Sequence, residues 1–73
     1  MEKKDLYKKI GKNIQKERIK QNYSQETFAE LMGVSWSYVS KIESGILNLS
    51  TGKIYDISVF LNIPVKNLLN VDD

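Results

Sequence analysis

Apolar residues recur in five short clusters, each with helical spacing and each bounded by residues that start or stop a helix. In the first, Leu6, Ile10, Ile14 and Arg18 fall four apart, on one helix face. Asp5 stands as its cap, and the pattern predicts a helix from about Leu6 to Gln21, with Asn22 as a left-handed stop. The second opens at Ser24, a good N-cap, has Glu26 in its first turn, turns Phe28, Ala29 and Met32 inward, and stops at Gly33. A third opens at Ser35 and ends at Gly45. A fourth opens at Ser50 and carries Ile54, Ile57, Ser58 and Leu61 inward, with Gly52 weakening its first turn. The fifth begins at Pro64, suited to a first helical turn, with Leu68 as its inward residue and Leu69 as the second candidate. "ILNLS" (Ile46 to Ser50) comes nearest to strand alternation, but it is short and lies between caps. The pattern predicts an all-α chain.

The joint between the second and third helices is the informative one. Met32 ends one, Gly33 turns the chain, Val34 is apolar and Ser35 caps the next. This is a helix-turn-helix with a short Gly-containing turn. Two helices joined so tightly cross steeply, and Ala29 is small enough for the contact.

Composition narrows the chemistry. The chain has 73 residues, the size of one small domain, with neither Cys nor His. Disulfides, thiolate metal sites and imidazole catalysis are excluded, and no metal or cofactor is expected. Glu26 and Glu30 share a helix face, but a carboxylate pair four apart is common on surfaces, so no enzyme is expected. The charged N-terminus does not read as a secretory signal, and no apolar run approaches the ~18 residues of a membrane span. A cytoplasmic protein of a bacterium or phage, acting at the nucleoid and not at a membrane, is expected. Residues 1–20 hold eight of the eleven Lys and Arg. Such a segment suits an anionic partner such as nucleic acid, although a solvated helix face has the same composition.

The stretch "YSQETFAELMGVSWSYVSKIESG" (Tyr23 to Gly45) resembles the helix-turn-helix of the phage-repressor and Cro-like DNA-binding proteins. The resemblance is carried by Ser24-Gln25, Phe28-Ala29, Gly33-Val34-Ser35, Val39, Ile42-Glu43 and Gly45. Ile10-Gly11, Ile14 and Arg18 match before it, and Ser50, Ile54, Ile57, Leu61 and Leu68-Leu69 after it. It implies a compact five-helix, lambda-repressor-like domain filling residues 1–73, with its core at about 6–70. It implies operator recognition through the third helix in the major groove, by a twofold homodimer on double-stranded DNA. It also implies roles: Gln25 at a phosphate, Trp36, Ser37 and Lys41 at base edges, Arg18 paired with Glu43, and Val65 and Asn67 in the dimer region. The family commonly has Gly where this chain has Asn22, and a more polar loop where it has Ile46 to Leu49.

The residues themselves agree with a reading helix. With Val39 pointing inward, Ile42 lies about 60° to one side and Glu43 about 40° to the other, while Ser37, Lys41 and Ser44 form a stripe near 160°. Short hydroxyls and one cation allow close approach to a groove, and Ser40 flanks them. A plain solvent face has the same composition. Trp36 has two readings, contact with DNA or packing against the second helix, and its N–H needs a partner in either. Tyr38 lies about 100° from Val39 at the boundary, where its hydroxyl can meet a phosphate, with Ser44 a further phosphate candidate. Lys8, Lys12, Lys16 and Lys20 form a basic stripe on the first helix. Phe60, Val59, Ile46 and Leu47 are apolar residues expected near the surface and thus candidates for a dimer contact. They also leave open a second function, a protein-interaction module or antitoxin-like partner on the same fold. The expected function is a sequence-specific transcriptional regulator, a repressor or autoregulator, of the phage-repressor, restriction–modification controller or antitoxin-like kind.

Overall fold

Serine hydroxyls begin three of the five helices in the computed structural model, which describes residues 2–71. Met1, Asp72 and Asp73, part of the expected 1–73 domain, lie outside the described residues. The helices are α1 (Lys3–Lys20), α2 (Gln25–Met32), α3 (Trp36–Glu43), α4 (Thr51–Leu61) and α5 (Lys66–Leu69), and the described residues contain no strand. Ser24, Ser35 and Ser50 accept from the backbone N–H groups of Thr27, Tyr38 and Lys53. Each satisfies an otherwise unpaired donor and contributes about 1 kcal/mol.

The four longer helices share one kind of ending. Asn22, Gly33, Gly45 and Asn62 all have positive φ. After each, the next N–H reaches back five residues, from Tyr23 to Arg18, Val34 to Ala29, Ile46 to Lys41 and Ile63 to Ser58. This is the Schellman arrangement, in which a left-handed residue lets the chain double back onto the last open carbonyls. Tyr23, Val34 and Ile63 then pack against the core. Ile46 does not and stays 71% exposed.

Three boundaries differ from expectation. α1 starts at Lys3, not Leu6, with Glu2 at the cap position and no side-chain cap bond. The Glu2 carbonyl accepts from Asp5 and Leu6, so Asp5 sits in the first turn, where its charge faces the positive helix end. No breaker occurs among Lys3, Lys4 and Asp5, and the helix runs through them. α3 ends at Glu43, with Ser44 as its C-cap ahead of Gly45. α5 begins at Lys66, while Pro64 and Val65 form the turn before it and supply carbonyls to Asn67 and Leu68. Leu68 is fully buried; Leu69 points outward.

The core draws on every helix: Ile10 and Ile14 from α1, Phe28 and Ala29 from α2, Val39 and Ile42 from α3, Ile54, Ile57 and Leu61 from α4, and Leu68 from α5. α1 packs on both α3 and α5, and two details bring it close. A Cβ on Gly11 would overlap the carbonyl oxygen of Ile42 and lie 2.7 Å from that of Glu43. On the other side, Asn13 Nδ2 donates to the carbonyls of Leu68 and Asn70, both at 3.0 Å.

Charge also crosses the α1–α3 contact. Arg18 Nε donates to Glu43 Oε2 at 2.6 Å and Nη2 to Oε1 at 3.0 Å, with both side chains buried. Arg18 Nη1 donates to the Tyr23 carbonyl at 2.6 Å, tying in the turn after α1. The expected pair is present and bidentate.

Two predictions follow the packing. Gly11→Ala forces a methyl into backbone that has no room to yield and should lower stability by about 1–3 kcal/mol. Gly52→Ala meets open space in α4 and should raise it by about 0.5–1 kcal/mol. Thermal melts of both variants check the opposite signs. Glu43→Ala strands the Arg18 guanidinium and should cost about 3–5 kcal/mol, whereas Ser37→Ala on the exposed face should stay within about 0.5 kcal/mol. Urea melts of this pair in the reverse order would refute the structural role of Glu43.

Candidate nucleic-acid interface

Gly33, Val34 and Ser35 hold α3 across α2, and the division of α3 into two faces follows. Val39, Ile42 and Glu43 are buried. Trp36, Ser37, Lys41 and Ser44 are exposed, with Ser40 half-buried beside them. Ser37, Lys41 and Ser44 thus share the outward stripe. Ser44 Oγ donates to the Ser40 carbonyl at 2.7 Å, which leaves its lone pairs as the outward-facing function. Lys41 supplies the stripe's positive charge.

Tyr38 lies at the boundary, half-buried. Its ring packs against the core, and Lys53 Nζ lies 5.9 Å from its centroid. A cation over the ring face is attracted by the ring quadrupole. This contact joins the start of α3 to the start of α4.

Trp36 and Gln25 form the contact that residue spacing did not disclose. The indole Nε1 donates to Gln25 Oε1 at 2.9 Å, and Gln25 Nε2 donates to Glu43 Oε1 at 2.9 Å. The bonds run Trp36–Gln25–Glu43–Arg18, from the exposed ring to the buried ion pair. The polar atom of Trp36 is tied to α2, as packing against the second helix implied, and 57% of its surface remains exposed. The signal in the sequence is the need of the indole N–H for a partner, and Gln25, first in α2, supplies it.

The other candidates separate. Lys8, Lys12 and Lys16 line a shallow basic groove whose other wall is Asn70 and Val71, while Lys20 pairs with Glu17 at 3.4 Å. Val65 lines a groove with Tyr55, Val59 and Ile63 between α4 and the turn into α5. Phe60 is exposed but does not line that groove, and Asn67 borders Lys66 and Asn70 instead. Leu47 and Leu49 fold back onto the core, so Ile46 alone is left exposed of the apolar residues expected in that loop. Among the described residues no group of acidic, His or Cys side chains is placed to hold a metal ion, and no helix is long and apolar enough to cross a membrane.

Known proteins share this arrangement. A helix-turn-helix family model matches residues 14–68. A restriction–modification controller protein from Aeromonas hydrophila, C.AhdI, has a similar structure, with a TM-score of 0.76 and 36% identity, over 88% of this chain and 96% of that one. An uncharacterized transcriptional regulator from the ATPase CF(0) region of Rhodospirillum rubrum is 32% identical over 77% of this chain, and an uncharacterized helix-turn-helix regulator of Sinorhizobium fredii is 35% identical over 74%. The chain spans 52% of the length of the first regulator and 38% of the second. With the turn, the two-faced α3 and the buried ion pair in place, the chain belongs to the helix-turn-helix family, whose model covers residues 14–68.

Proposed function

We propose that the protein is a sequence-specific transcriptional regulator that binds a palindromic operator as a homodimer and acts as a repressor or autoregulator. The observation that carries this reading is the outward face of α3. Ser37, Lys41 and Ser44 form a narrow polar stripe with Trp36 at its head, on a helix fixed from behind by Val39, Ile42 and the Arg18–Glu43 pair. A helix in the major groove needs short side chains for approach, donors for base edges, and a rigid mount. Lys41 donates to guanine O6 or N7, Ser37 and Ser40 to neighbouring bases, and Ser44 to the backbone. Gln25 Nε2 donates only one of its two hydrogens to Glu43, and the other serves a phosphate at the start of α2, where the helix dipole favours an anion. Tyr38 adds a hydroxyl toward the backbone. The likeness to a restriction–modification controller supports a regulatory role.

A domain this small touches few bases, and twofold symmetry doubles the contacts. The groove formed by Tyr55, Val59, Ile63 and Val65 is the surface we assign to the second copy, since Tyr55 and Val59 are both well exposed there. Phe60 and Asn67 lie off this groove and are assigned to its periphery. The interaction-module reading keeps the exposed Ile46 and Phe60 as its surface, while Leu47 and Leu49 pack against the core.

Selection from a random duplex pool should enrich a palindrome whose half-sites lie about 34 Å apart, one DNA turn. Affinity for it should fall steeply with salt. Enrichment of no sequence would refute the proposal. Lys41→Ala should relax preference at one base pair per half-site, by about 1–3 kcal/mol. Val59→Lys should yield a monomer by solution mass and weaken operator binding, with the melting temperature of the domain little changed.

A further inference from the structure

The hydrogen bonds around Trp36 decide what that residue can recognise. An indole carries a single polar atom, which only donates. Here it donates to Gln25 Oε1. The amide cannot turn over to release it, because its other end faces a carboxylate, which only accepts. A donor on one side and an acceptor on the other fit a Gln amide in one orientation. The carboxylate is fixed in turn by two bonds from Arg18, and Arg18 by a third to the Tyr23 carbonyl. The chain of bonds ends inside the protein, on the buried Arg18–Glu43 pair.

Trp36 therefore faces outward as an apolar plate whose only donor is already engaged. Its tether lies at the surface, where water competes for it. Docked DNA removes that water, and an unpaired indole N–H would then be unfavourable, so binding strengthens the tether. The exposed carbon edge has no means of reading base donors or acceptors. One apolar group marks base edges in the major groove, the methyl on C5 of a pyrimidine. We propose that Trp36 is a specificity-determining residue that recognises a pyrimidine C5-methyl group, as borne by thymine or 5-methylcytosine. This rests on the reading of α3 as the helix that enters the major groove. The fixed ring loses little freedom on contact, which favours discrimination by so small a group.

The test uses the full chain and the operator enriched from the random pool. Each thymine is replaced in turn by uracil, which removes the methyl and leaves pairing and the O4 acceptor intact. Binding should weaken about fourfold for each methyl lost, at one position per half-site. The effect should vanish in Trp36→Ala, an exposed position whose melting temperature should match the parent. A cytosine at that position, with and without its C5-methyl, separates the sources. Tighter binding of 5-methylcytosine assigns the methyl as sufficient, and equal binding assigns thymine as the base recognised. Trp36 is the sole tryptophan, so its emission reports the same contact and should change less on the uracil duplex than on the thymine duplex. Sequence-specific binding without a uracil effect, or with an effect that persists in Trp36→Ala, would overturn the assignment and leave the regulator reading intact. Loss of sequence-specific binding altogether would overturn both.

Discussion

Arg18 and Glu43 join the last turn of α1 to the last residue of α3. Removing both charges from water carries a desolvation penalty that their attraction offsets only when the geometry is good and the remaining lone pairs and protons are occupied. Here both guanidinium–carboxylate contacts are within hydrogen-bonding distance, and Tyr23 and Gln25 each add one further bond, so every nitrogen of the guanidinium and both carboxylate oxygens have a partner. What the pair supplies is position more than net stability. It fixes α1 against the end of α3, the turn after α1 against both, and through Gln25 the start of α2. The outward residues of α3 inherit their placement from that arrangement.

The second constraint is the close approach of α1 to the same end of α3. Gly11 allows the two backbones to meet, and Gly45 brings the following loop against Lys8. A helix of eight residues has little stability of its own in water. α3 is held by a serine cap at its start, a left-handed turn at its end, packing along its inner face and the ion pair at its last residue. These lie on three sides and leave the fourth open.

Much of this was legible in the chain. Ser24, Ser35 and Ser50 announced their helices because capping needs a specific short side chain. Gly33, Gly45 and Asn22 announced stops because few residues accept positive φ. The inward positions followed from spacing, and the resemblance named the ion pair. The rest depends on distance in space. Asn62 makes the same stop as Asn22, yet no break in the apolar pattern marks it. The start of α1 is ambiguous in the sequence, because Asp5 suits a cap and a first turn equally. Leu47 and Leu49 occupy a loop whose course only the packed core determines. The link from Trp36 to Gln25 joins residues eleven apart on two helices, and its existence depends on their crossing angle.

The division of labour along α3 bears on how such a protein can change its target. The side chains of Ser37 and Lys41 are exposed, so substitutions there are free to explore new operators with little risk to folding. Trp36 is different. Its replacement frees the Gln25 acceptor to water without cost to the fold, but it removes the bond that orients the outward ring. Drift in specificity should therefore be easy along the stripe and constrained at its head, where a replacement forgoes that bond.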